Sequence, residues 1–270
     1  MTEPIPVVFK SKDADVHGLF YKASTVKPLS MVILCHGHPG NNRDVLGLGE
    51  RLMKEGFSAL AFNYRGTWES EGLFTFGNSL EDVVSAIRYV TSPVAIREFD
   101  VDPSNITVIG HSYGGSTALL GSLNIPEVRR VVSSFGGNPS ETARIMQESD
   151  EFKRAILEGF DQDNRDSGIR SLRAEELFAE VFADMDKYDL VRHAETLSSK
   201  DILLIGGWRD QWCPIEHHIL PLYRALLKHG TKQVQIEMFD VEHSLADIKS
   251  QVADRIVSWL RRAPYGFNNQ

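Results

Sequence analysis

The chain has 270 residues, 42% of them hydrophobic, so one large domain, or one domain carrying an insertion, can bury roughly three quarters of its unfolded surface. Its 37 acidic and 29 basic residues leave a net charge of −8 with no basic cluster, which argues against nucleic acid and against an anionic membrane as partners. The two cysteines lie far apart, Cys35 in an apolar run and Cys213 in a polar loop, which suits free thiols in a reducing compartment rather than a disulfide scaffold. Residues 1–6 show no basic stretch followed by an apolar one, and no window reaches transmembrane length, so the expectation is a cytoplasmic protein.

Residues 6–24 alternate apolar and polar around Asp13-Ala14-Asp15, which predicts an antiparallel hairpin at a sheet edge. The run Met31 to Cys35 is continuously apolar, as a strand buried on both faces must be. After the turn His36-Gly37-His38-Pro39-Gly40, apolar positions at Val45, Leu48, Leu52 and Met53 predict a helix that stops at Gly56. A strand follows at Ser58 to Asn63 and opens into a turn-rich loop from Tyr64 to Gly72. The next helix is expected near Ser79, with Asp82 in capping-box position and Leu80, Val83, Val84 and Ile87 facing inward.

The β-branched run at 106–109 leads directly into Gly110-His111-Ser112-Tyr113-Gly114, a G-x-S-x-G pattern, and small residues follow. A sharp strand-to-helix turn at this point would hold Ser112 in a strained conformation, so the residues two before and two after it must lack bulk. Another strand is expected at Arg130 to Phe135. Residues 137–198 then contain no strand-like run but carry helical spacing and aromatics, including Phe152, Phe160, Phe178 and Phe182; they predict a helical cap inserted between residues 1–136 and 199–270, which form the core. Alternation resumes with a strand at 202–206, a loop through Trp208, Asp210 and Trp212, a helix with Leu220, Tyr223, Leu226 and Leu227 on one face, a strand at 234–239, and a last helix from about Ala246 to Arg262. Such alternation predicts an α/β fold with a mostly parallel sheet, helices on both faces and chemistry at the carboxyl ends of the strands.

A serine hydroxyl needs a base within reach and an acid that orients the base. Among nine histidines, His243 lies on a loop directly after the last strand, whereas His229 sits at a helix C-terminus, where a cation is favourable for structural reasons alone. His217 and His218 lie beside Glu216 and Asp210, but no spacing there matches a metal-ligand motif, so neither metal nor cofactor is expected. Asp210 lies just past a strand end and is the expected acid; Asp240 is its rival. The order Ser112, Asp210, His243 is the one used by proteins that carry this elbow.

These residues resemble the α/β-hydrolase superfamily of serine hydrolases from His36 to the final helix. His36-Gly37-His38-Pro39-Gly40 is similar to the family's oxyanion loop, which implies that the backbone N–H groups of His38 and Tyr113 hold the anion. Phe62-Asn63-Tyr64-Arg65-Gly66, with Ser70-Glu71-Gly72 and Phe74, resembles the loop of cinnamoyl and feruloyl esterases and of aminopeptidase-like members. Val101-Asp102-Pro103-Ser104-Asn105-Ile106 is closer to dienelactone-hydrolase and prolyl-oligopeptidase-like relatives. Trp68 stands where those esterases commonly have a second glycine.

The resemblance implies a carboxylic-ester hydrolase acting on a small-molecule ester, and it leaves open a homodimer, a small acyl-peptide hydrolase, or a binding protein that keeps the fold without turnover. Trp68, Phe74, Trp208 and Trp212 are the candidates for lining the substrate pocket. Between Glu141 and Lys187 the chain carries 13 acidic and 7 basic residues. Such charge suits a solvated outer helix face equally well; where it borders the entrance, it is expected to favour neutral or aromatic acyl groups over carboxylated ones.

Overall fold

The apolar run at Met31–Cys35 forms strand β3 with all five residues buried, because its side chains alternate between two separate cores. Met31, Ile33 and Cys35 enter one core and Val32 and Leu34 the other. The same alternation recurs in Ser58–Phe62 (β4) and Asp201–Gly207 (β7), and it fixes a sheet covered on both faces. The computed structural model describes residues 3–23, 30–231, 233–245 and 247–262.

The other strands are β1 (Ile5–Ser11), β2 (Ala14–Tyr21), β5 (Ile106–His111), β6 (Val128–Ser134) and β8 (Val234–Phe239). All eight form one sheet in the order β1-β2-β4-β3-β5-β6-β7-β8. β1 pairs with β2, and β2 with β4, in antiparallel fashion; every later pair is parallel. The expected edge hairpin is present, though Ser24 falls outside the described residues.

Helices α1 (Leu48–Lys54) and α11 (Lys249–Leu260) pack on one face, through Leu48, Leu52, Val252, Ile256 and Trp259. The expected start of α11 at Ala246 lies outside the described residues. On the other face lie α2 (Phe76–Val90), α3 (Pro93–Phe99), α4 (Tyr113–Gly121) and α10 (Ile219–Lys228). Five helices separate β6 from β7: α5 (Pro139–Glu148), α6 (Asp150–Asp166), α7 (Ala174–Ala183), α8 (Met185–Tyr188) and α9 (Ala194–Leu197). Their buried residues, among them Met146, Ile156, Leu177 and Val181, join the core on the α2 and α4 face. No helix among the described residues is long and apolar enough to cross a membrane.

Three local readings differ from the structure. Helix α2 begins at Phe76, capped by Thr75, whose side chain accepts from the Asn78 amide; Ser79 and Asp82 lie inside the helix. Asp82 points inward because its carboxylate accepts from the Arg65 amide, the Arg65 guanidinium and the Ser11 hydroxyl. Helix α3 was not anticipated, although Ser92 as N-cap followed by Pro93 is a start signal readable from sequence. The buried face of α10 is Ile219, Leu222 and Leu226, spaced by three and four residues, while Leu227 lies off that face and is exposed.

A clamp ties the insertion to the loop after β4. The Arg170 amide donates to Gly66 O at 2.8 Å, and the Phe74 amide donates to Arg170 O at 2.8 Å. A Cβ on Gly66 would lie 2.4 Å from Arg170 O, so glycine is required at that position.

Candidate active site

The chain turns from β5 into α4 at Ser112, whose φ of 54° and ψ of −123° are unfavourable for any residue with a Cβ. Backbone bonds hold it there: the Ser112 amide donates to Ser134 O and the Gly115 amide to Ser112 O, both at 2.8 Å. Packing around the turn leaves no room for side chains two residues away. A Cβ on Gly110 would lie 1.8 Å from Gly114 O, and one on Gly114 would lie 2.1 Å from Cys35 O.

Ser112 Oγ lies 2.7 Å from His243 Nε2, and His243 Nδ1 lies 2.7 Å from Asp210 Oδ2. Asp210 is buried, and its second oxygen accepts from the Trp212 and Cys213 amides, each at 2.9 Å. Those two bonds orient the carboxylate, which in turn makes Nδ1 the protonated nitrogen and leaves Nε2 free to accept from the serine. Asp240 takes no part in this chain: its side chain is 82% exposed and pairs with Arg209 at 3.0 Å.

Burial sets the protonation of the groups nearby. It lowers His111, beside the nucleophile, to about 4, with His243 adding to the effect, so His111 is neutral at pH 7. Burial also raises the Cys213 thiol, helped by Asp210, so the sulfur stays protonated and does not compete as a nucleophile. Asp210, Cys213 and His243 lie close enough to share a cation, yet His243 Nδ1 and Asp210 Oδ2 already satisfy each other.

Ser112 and His243 open into a cavity of about 350 Å³ whose walls are mainly apolar, including Phe76, Tyr113, Ile156, Phe160 and Phe178. Of the four aromatic residues proposed to line it, only Trp212 does so. Trp68 donates from its indole N–H to Gly40 O, and Trp208 is exposed on the outside. Phe74 is buried beneath the site, its ring 5.3 Å from Tyr113 and 5.2 Å from His38.

The amides of His38 and Tyr113 make no backbone hydrogen bond among the described residues. The His38 side chain has a separate role. Its ring lies flat against Phe160 with centroids 4.4 Å apart, and its Nε2 meets Asn164 Oδ1 at 2.8 Å. Asp163 and Asn164 carry no motif, but they follow Phe160 by three and four positions on α6, so they share its face of the helix. That spacing is the signal by which sequence alone would find them.

Residues 32–256 match the alpha/beta hydrolase family. The quorum-quenching protein AidA of Acinetobacter baumannii is 30% identical over 159 residues, 53% of this chain and 50% of AidA, so the match spans half the length of that relative. The uncharacterized protein YfhR of Salmonella typhi is 32% identical over 212 residues, 77% of this chain and 65% of YfhR. Among solved structures, an esterase of Pyrococcus furiosus superposes with a TM-score of 0.70 at 20% identity, covering 97% of this chain and 91% of that one. At such identity the likeness speaks for the fold.

Proposed function

The chain belongs to the alpha/beta hydrolase family, and on that premise we propose that it hydrolyses carboxylic esters through an acyl-enzyme on Ser112. The observation that carries this reading is the unbroken contact from Ser112 through His243 to Asp210 at the mouth of an apolar cavity. Ser112 Oγ attacks the ester carbonyl as its proton passes to His243 Nε2, and Asp210 stabilises the imidazolium that forms. The amides of His38 and Tyr113 hold the tetrahedral oxyanion, with the N-terminus of α4 adding favourable dipole field. Collapse breaks the bond to the leaving oxygen, which takes the proton from His243. Water then gives its proton to His243 and attacks the acyl carbon; the acyl–Oγ bond breaks, Ser112 Oγ takes that proton back from His243 Nε2, and the acid leaves.

Residues 137–198 act as a cap in this reading, because Ile156, Phe160 and Phe178, which lie outside the core strands, line the cavity together with Ser112 and His243. Free Cys35 and Cys213 fit a reducing, cytoplasmic setting. The test is a panel of neutral esters, thioesters, lactones and aminoacyl amides offered to the purified protein and to Ser112→Ala. Turnover of neutral esters that vanishes in the variant supports the proposal. Turnover of aminoacyl amides in preference to esters would replace it with a small-peptide hydrolase.

A further inference from the structure

Two cavities border the helices of the insertion, and one side chain belongs to both. The catalytic cavity, of about 350 Å³, takes Ile156, Phe160 and Phe178 from the insertion as walls. A second cavity, of about 450 Å³, is walled by Met146, Leu157, Phe178, Ala179 and Phe182 of α5, α6 and α7, and it meets solvent where Ala179 is exposed. Ile156 and Leu157 are consecutive on α6 yet line different cavities, because neighbouring residues on a helix do not share a face. Of the described residues that wall the two, Phe178 alone is common to both, so the partition there is a single side chain thick.

Phe178 is 3% exposed, and its ring packs edge-on against Phe76 and Phe160 with centroids 5.2 and 5.4 Å apart. Two such contacts hold the ring in one place, so it is a fixed wall and not a swinging gate. Apolar side chains stand on both sides of it, Ile156 and Phe160 in the catalytic cavity and Met146 and Leu157 in the other. A hydrocarbon chain would find apolar surroundings on either side, and what stops it at the ring is bulk alone. Resting on the ester reading above, we infer that Phe178 determines specificity by length: its side chain closes the catalytic cavity against the second one and sets the longest hydrocarbon arm that an ester can carry.

The experiment measures kcat/KM for two ester series, 4-nitrophenyl alkanoates that lengthen the acyl arm and alkyl acetates that lengthen the alcohol arm. In the parent, the series whose arm enters the cavity should rise by about fourfold for each methylene buried, reach a maximum and then fall. Phe178→Ala should continue the rise, so that an ester two methylenes past that maximum is hydrolysed with about tenfold higher kcat/KM than by the parent, while the shortest esters change little. Ala179→Trp, which fills the second cavity from its exposed wall, should leave the parent profile as it is and withdraw the long-chain gain when combined with Phe178→Ala. A catalytic cavity that is merely enlarged predicts that the gain survives Ala179→Trp, and that outcome overturns the partition. So does a parent profile without a maximum, or a maximum that Phe178→Ala leaves in place. Circular dichroism checks that each variant is folded; if Phe178→Ala is not, Phe178→Leu should move the maximum in the same direction by less, and an unmoved maximum in that variant overturns the inference. If the parent hydrolyses neither series, the ester reading fails on its own. Calorimetry of the matched amides on Ser112→Ala, with and without Phe178→Ala, then reads the length limit, and a limit that is the same in both overturns the role of Phe178.

Discussion

Ser112 Oγ and His243 Nε2 meet at 2.7 Å across 131 residues of sequence, because β5 and β8 run parallel and both release their loops at the same edge of the sheet. Replacing Ser112 by Ala or by Gly should each lower kcat by about a million-fold. The two variants should differ in stability. Glycine relieves the strain of a φ of 54° that alanine retains, so Ser112→Gly should be the more stable by about 1–2 kcal/mol in urea unfolding. Ester turnover within tenfold of the parent in both variants would falsify the elbow assignment.

Asp210→Asn should lower the rate by roughly four orders of magnitude, since an amide in place of the carboxylate favours the wrong His243 tautomer. Asp240→Asn, in an exposed pair with Arg209, should change activity little. Steady-state kinetics on the two variants separates the roles, and the opposite ranking would move the acid to the loop after β8.

Charge at the cavity should also tell. Of the insertion's acidic residues, Asp163 lines the cavity, and burial together with Asp166 raises its carboxyl pKa. Neutral aryl or short acyl esters are expected to have higher kcat/KM than matched esters bearing a free carboxylate, and the gap should narrow as salt is added. Preference for the anionic ester at low salt contradicts this.

Four histidines bear on acid stability. Burial holds His36, His38, His111 and His218 at about 4, below the 6.5 of an unfolded histidine. Between these values the unfolded chain binds more protons, so stability rises with pH. Their contribution is complete above pH 6.5 and is lost as pH falls toward 4, at up to about 1.4 kcal/mol per pH unit for each group. Urea midpoints measured from pH 7 to pH 4.5 should fall steadily, and a flat profile would mean these rings take up protons without unfolding.

Sequence reading reached the alternation of strands and helices and the small residues around Ser112 because both follow from short-range rules. A strand buried on two faces must be apolar throughout, and a tight turn excludes bulk at Gly110 and Gly114 whatever the rest of the chain does. It also marked Ser112 from the G-x-S-x-G pattern, Asp210 and His243 from their positions after strands, and the three as a set from their chain order. Their contact was not readable in that way, since it depends on how four parallel strands line up side by side.

Where a side chain had two plausible partners, only the tertiary structure decided. Asp82 reads locally as a helix cap, yet it is drawn inward by Arg65 and Ser11, because a buried guanidinium needs a carboxylate more than a helix end does. Trp68 and Trp208 read as pocket walls from their loops but are exposed and do not line the cavity, whereas Asp163 and Asn164, which no motif marks, are carried to His38 by the turn of α6. Backbone form was set by local sterics and periodicity, which the sequence states directly. Side-chain partnership was set by competition among residues distant in sequence, and that competition is resolved only when the chain is packed.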